Sequence, residues 1–214
     1  MYNKTRNILY LGTYLLVGLL LLKVAIYTQT NEIIFPDLIG QELLDSLVVN
    51  YKTNTVLSYD NARDTLFANI YKHNDSLTCV YSGYTIYLDP AQDPSTYAYT
   101  NGISTEHTWS QSKGAVGQAK SDMYHLYPVR SVVNSSKGKD PFAEIPDSDT
   151  DKWYRMDYFL DTIPTQFINE YSEKDNDVDI FEPCEDHKGN VSRALFYFYT
   201  MYKHEADSCD PEYF

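Results

Sequence analysis

Between residues 41 and 51, Leu43, Leu44, Leu47, Val48 and Tyr51 recur three and four positions apart, the spacing that gathers apolar side chains on one face of a helix. Leu66, Phe67 and Ile70 repeat the pattern and predict a second helix over residues 61–71, capped by Asp60 or Asn61. The longest such run is Val191, Ala194, Leu195, Phe198, Met201 and Tyr202, which predicts an amphipathic helix starting at Gly189. Over residues 77–88 the composition turns to Thr78, Val80, Tyr81, Tyr84, Thr85, Ile86 and Tyr87, that of a strand. Residues 89–100, broken by two Asp-Pro steps, read as loop, and residues 147–151 as an exposed acidic connection. Residues 105–138 read as strand, loop, strand, helix. Helices and short strands mixed without an internal repeat give an α+β fold class.

The first thirty residues stand apart. Lys4 and Arg6 precede an apolar run from Ile8 to Leu22, followed by Lys23 and Val24-Ala25-Ile26-Tyr27. A basic start and an apolar stretch predict export, by a signal peptide over residues 1–30 or by an uncleaved anchor in which residues 8–27 cross the bilayer. Both place residues 31–214 outside the cytoplasm, secreted or periplasmic in one case and held on the outer face of the membrane in the other. Export makes Cys79, Cys184 and Cys209 candidates for one disulfide, and Cys184 with Cys209 is the expected pair because they bracket the last helix. No Cys-x-x-Cys occurs, which argues against a structural zinc site.

Charge changes the picture next. The net charge of −13 disfavours a phosphate-rich partner, but it is unevenly spread. Residues 107–139 carry five basic side chains, Lys113, Lys120, Arg130, Lys137 and Lys139, against Asp122 alone, whereas residues 144–186 carry fourteen acids against three bases. The 21 tyrosines are read as amphipathic packing, with a few available for stacking on bases.

The basic stretch holds the candidate chemistry. Glu106-His107 is followed by Asp122-Met123-Tyr124-His125-Leu126-Tyr127-Pro128 and by Asn134 in Val-Val-Asn-Ser-Ser-Lys-Gly. A carboxylate and an amide oxygen form a sparse hard-oxygen set suited to Mg²⁺, and a neutral imidazole oriented by a backbone carbonyl can take a proton from water. Neighbours on a regular strand point to opposite faces, so Glu106 and His107 serve one site only at a strand end. Asn134 alone reads equally as a turn or helix-end residue.

Six blocks in this order resemble the bacterial endonuclease I family, nucleases built on a His-Me (ββα-metal) finger: Glu106-His107, Asp122 to Pro128, Val133-Asn134 with Lys137-Gly138, Glu182-Pro183, Lys188-Gly189-Asn190-Val191-Ser192-Arg193, and Phe196-Tyr197-Phe198. The resemblance implies a His-Me finger with flanking helices and a nonspecific endonuclease that cleaves DNA, with RNA as a further substrate, to 5′-phosphate products. It implies His107 as general base, and Glu106 and Asn134 as ligands of Mg²⁺, or of Mn²⁺ or Ca²⁺. Arg193 would contact the scissile phosphate or pair with Glu182. Lys113, Lys137 and Lys139 would hold the nucleic-acid backbone, and Asp122 with His125, a hydrogen-bonded pair, would brace the second strand.

Three residues depart from the pattern: Tyr124 where the family usually has histidine, Ser110 where proline is common, and Lys137 for arginine, which keeps charge but loses the bidentate fork. A closing segment that the family usually carries does not follow Phe214, so a truncated domain with an uncovered apolar stripe on the last helix is expected. The competing expectation is a noncatalytic, membrane-tethered acidic binding module on the same scaffold. Residues 175–179 imitate the start of a calcium loop, although Ile180 stands where that loop needs glycine.

Overall fold

The computed structural model describes residues 33–210, so the expected leader and anchor lie outside the described residues. The chain divides into two compact units, Met1–Leu43 and Leu44–Phe214. In the first, the described residues form a turn, Leu38 N–H donating to Phe35 O at 3.1 Å, and the opening of helix α1, Gly40–Tyr51. No helix among the described residues is long and apolar enough to cross a membrane.

In the second unit, helix α2 (Tyr59–Thr65) runs on into a wider π turn over Leu66–Ile70. Its cap is Ser58, whose hydroxyl accepts from Asn61 N–H at 3.3 Å, so the helix begins earlier than the apolar pattern indicates. The strand expected over residues 77–88 is two short strands, β1 (Ser76–Thr78) and β2 (Thr85–Tyr87), paired antiparallel around a turn at Gly83, φ +74°. The expected loop before residue 100 contains helix α3 (Pro94–Thr100): Asp93 caps it by accepting from Thr96 N–H at 2.9 Å, and Pro94 occupies the first turn, where no N–H partner is needed.

Strand β3 (Ile103–His107) pairs antiparallel with β4 (Leu126–Arg130), and helix α4 (Ser131–Lys137) follows directly. This is the strand–loop–strand–helix unit that the sequence indicates. The loop between the strands is pinned by Trp109, fully buried and stacked 4.7 Å from Phe198, and by Gly114, where an added Cβ would lie 2.5 Å from the Glu205 carbonyl. A four-stranded antiparallel sheet follows, in the order β6–β5–β7–β8, from β5 (Lys152–Arg155), β6 (Tyr158–Leu160), β7 (Ser172–Asp175) and β8 (Ile180–Glu182). Residues 175–179 are the turn of its last hairpin. Asp175 Oδ1 accepts from the N–H of Asp177 (2.7 Å) and Val178 (3.2 Å), which commits the calcium-like carboxylate to a backbone turn.

Helix α5 (Glu185–Met201) begins four residues before the expected Gly189, and α6 (Lys203–Cys209) ends the described chain. The apolar stripe of α5 is covered by the protein's own residues: Val191 and Ala194 pack with Tyr127, Val129 and Val133, while Phe198, Met201 and Tyr202 pack with Trp109, Ala115 and Ala119. The expected uncovered stripe is therefore not found. Nor is the expected disulfide. All three cysteines are free thiols; Cys184 starts α5 and donates to Val80 O, whereas Cys209 lies beyond its far end and donates to Ser112 O. A helix of 17 residues separates its ends by roughly 25 Å, far beyond a disulfide's reach.

Candidate active site

The β3–β4–α4 unit decides where the candidate residues go. Glu106 is next to last on β3 and 3% exposed, and its Oε1 lies 3.0 Å from Lys137 Nζ and accepts from Tyr81 OH at 3.5 Å. Lys137 is fully buried; its Nζ also donates to Gly138 O (3.5 Å) and lies 4.6 Å from the centre of the Phe142 ring. The expected phosphate ligand is thus the counter-ion of Glu106. Burial pushes the Glu106 carboxyl pKa upward and Lys137 pulls it back down. The pairing was accessible to sequence reasoning, since Lys137 follows Asn134 by three residues and shares its helix face.

Asn134, in the middle of α4, reaches back to β3. Its Nδ2 donates to Ser104 Oγ (2.9 Å) and to Thr105 O (3.2 Å). A main-chain carbonyl can only accept, so the amide nitrogen is fixed on that side and Oδ1 is turned away from it. Ser104 and Glu106 leave the same face of β3, and α4 reaches that face twice, through Asn134 on Ser104 and through Lys137 on Glu106. Among the described residues no group of three or more His, Cys, Asp or Glu side chains is arranged to hold a metal ion.

His107 closes β3 and is 6% exposed. Its Nε2 lies 2.9 Å from Lys120 O and its Nδ1 3.3 Å from Gln111 Nε2. The carbonyl requires a proton on Nε2, and the amide N–H2 is satisfied only by a lone pair on Nδ1, so both partners select one neutral tautomer. Tyr59 and His125 flank the ring, each with centroids 5.5 Å away. Burial, then the neighbouring His125, push the His107 pKa down to about 3.

Asp122 and His125 do not form the expected side-chain pair. Asp122 Oδ2 accepts from Tyr197 OH (2.8 Å) and Tyr202 OH (2.6 Å), and its Oδ1 from Tyr124 N–H (3.1 Å). His125 is completely buried with Nε2 on Ala119 O at 2.7 Å. Each braces the start of β4 separately, because the phenols of Tyr197, on α5, and of Tyr202, just past its end, occupy the carboxylate. Glu182 pairs with Lys188 (2.6 Å) and accepts from Ile145 N–H (2.5 Å), not from Arg193. Arg193 is exposed and donates to Asn190 Oδ1 at 2.5 Å. Lys113 is tied to Asp210 Oδ2 at 2.5 Å, while Lys139 is exposed with no ion pair among the described residues. Sequence reasoning missed Tyr81, Gln111 and the Lys120 carbonyl, since none carries a spacing signal; they are brought in by the fold.

Buried histidines give the fold a pH dependence. Burial pushes His125 and His187 down to about 4, beside His107 at about 3, all from an ordinary 6.5. In each case the unfolded chain takes up a proton that the folded chain refuses, so this stability is complete above pH 6.5 and lost as pH falls towards 4. Glu173 works oppositely: burial raises its carboxyl to about 7, and acidification relieves that buried charge. Burial raises the Glu106 and Glu182 carboxyls as well, so the histidine share is read as a difference: between roughly pH 6.5 and 4.5 the unfolding free energy of the wild type is expected to change with pH more steeply than that of His187→Gln, by about 1 kcal/mol per pH unit for the one proton removed. Urea titrations of both proteins across that window measure the difference, and equal slopes would contradict it.

A family model described as Endonuclease I matches residues 39–212. An extracellular ribonuclease of Bacillus subtilis (strain 168) is 32% identical over 105 residues, covering 46% of this chain and 28% of that protein. The chain thus aligns with little more than a quarter of that relative's length.

Proposed function

Because the chain belongs to the endonuclease I family, we propose that it hydrolyses phosphodiester bonds in DNA and RNA outside the cytoplasm, leaving 5′-phosphate ends, with His107 as the general base. The observation that carries this reading is the His107 ring itself. A neutral imidazole is locked by Lys120 O through Nε2, and Nδ1 holds its lone pair towards a side-chain amide that a water molecule can replace. The name of the Bacillus relative, an extracellular ribonuclease, supports both the reaction class and the compartment.

The donor chemistry fits a divalent cation. Asn134 Oδ1 is turned away from its two anchors, and Glu106 is a buried carboxylate that already draws a positive partner. Glu106 and Asn134 would hold Mg²⁺, with Mn²⁺ or Ca²⁺ as substitutes, and the bound ion would stabilise negative charge on the phosphate and the leaving oxygen. Lys137 keeps Glu106 ionised and aimed; it does not touch substrate. Arg193 and Lys139, both exposed, would hold backbone phosphates, which gives affinity without sequence information.

Plasmid DNA and single-stranded RNA incubated with the full chain, with Mg²⁺ and separately with EDTA, test the reading. Cleavage that needs the metal is expected. A folded protein that leaves both intact with Mg²⁺, Mn²⁺ and Ca²⁺ would sink it.

A further inference from the structure

A cleft of about 390 Å³ is lined by Ile70, Tyr71, Met123, Tyr124 and Tyr127, within the roughly 300–1,000 Å³ usual for small-molecule sites. We propose that this cleft is a nucleobase subsite, so that the protein prefers single-stranded nucleic acid with one unpaired base inserted beside the catalytic strand. This rests on the nuclease reading above and names its substrate form.

Position supplies the first argument. Tyr127 stands directly across the β3–β4 ladder from Glu106, so the two side chains leave the same face of the hairpin. Tyr127 OH in turn donates to Asn190 O at 3.5 Å, and Asn190 Oδ1 holds the Arg193 guanidinium. The cleft therefore adjoins a wall whose one neighbour is the candidate metal ligand and whose other is an exposed cation suited to phosphate. A nucleotide needs that arrangement: a place for the base next to a place for its charge.

Rigidity supplies the second. Tyr124 is 67% exposed, yet it is fixed from behind. Its N–H donates to Asp122 Oδ1, its ring lies 4.7 Å from that of Tyr197, and Tyr197 OH is anchored on Asp122 Oδ2. An aromatic face held in water by a buried carboxylate has already lost the freedom that stacking would cost it. Every base offers a π-face, so such a platform tolerates any sequence. A base paired within a duplex cannot enter the cleft without leaving its stack, which sets the preference for single strands.

Two measurements decide the matter. Calorimetric titration with adenosine 5′-monophosphate is expected to give binding at least tenfold tighter than ribose 5-phosphate, a gap that closes in Tyr124→Ala and persists in Tyr124→Phe. Cleavage of a labelled single-stranded oligonucleotide and of its duplex is expected to favour the single strand, and that preference should fall about tenfold in Tyr124→Ala, through KM, as loss of one base–aromatic stack implies. Tyr124 is exposed, so the variant keeps its core. Active protein that cuts both forms equally, with Tyr124→Ala indistinguishable from it, overturns the subsite and leaves the nuclease reading intact. Protein that binds the monophosphate through Tyr124 but cuts nothing overturns the nuclease reading and keeps the cleft as a nucleotide site.

Discussion

Replacing Lys137 by methionine is expected to lower the unfolding free energy by about 3–5 kcal/mol, the usual cost of removing one partner from a buried ion pair. The length of the side chain and its packing over Phe142 are kept, so the effect isolates charge. Without the ammonium, Glu106 would be left 3% exposed with Tyr81 OH at 3.5 Å as its remaining side-chain donor. Burial already raises the Glu106 pKa against the pull of Lys137, and in the variant burial acts unopposed by that charge. The folded variant then binds a proton that the unfolded chain releases above its ordinary carboxyl pKa, so the deficit is largest at neutral pH and shrinks as pH falls. Urea midpoints at pH 7.5 and pH 5 measure this. Glu106→Gln combined with Lys137→Met should recover much of the loss, since replacing both charges leaves no buried ion unpaired. A single variant as stable as wild type at neutral pH would mean that the pair is not the buried contact described here.

That result bears on how the candidate site could be read from sequence. The finger itself is legible because each of its parts is dictated locally: β3 and β4 by their strand residues, α4 by the turn that follows Arg130, and the long amphipathic stripe of α5 by its period. The four-stranded sheet is not legible. Its strand β7 is Ser172-Glu173-Lys174-Asp175, four polar residues that are all buried. Pattern reading assigns such a run to the surface, because burial of polar groups is costly unless each is partnered. Here each is: Ser172 Oγ donates to Tyr81 O, Glu173 accepts from Thr150, Lys174 faces Asp140, and Asp175 accepts from its own turn. All but the partners of Asp175 are far apart in the chain, so only the fold reveals them. Part of the acidic excess of residues 144–186 is for the same reason internal. Helix α3 was recoverable from its Asp93-Pro94 start, a cap and first-turn signal that reads equally well as a loop break.

His107→Ala is expected to reduce cleavage by about 10²–10⁴-fold, the range for loss of a positioned general base. The rest of the site should persist, since Glu106 and Asn134 are held by Lys137, Tyr81, Ser104 and Thr105, none of which contacts the ring through a hydrogen bond. Added imidazole should restore part of the rate by entering the space the side chain vacates. The pH profile gives a sharper reading. A base works when unprotonated, and burial holds His107 at about 3 in the free protein. Because kcat/KM reports the free enzyme, the limb due to His107 should lie below about pH 4 and not near the ordinary histidine value, and an acid limb above it would belong to the Glu106 carboxyl, which burial raises. Bound phosphate brings negative charge beside the ring and favours the imidazolium, so the limb in kcat should appear at higher pH than that in kcat/KM. The separation between the two limbs is the signature of a buried base that strengthens when its substrate arrives. Coincident limbs near pH 6.5, or a His107→Ala protein that cleaves at the wild-type rate, would remove His107 from the chemistry and leave it as a packed ring at the end of β3.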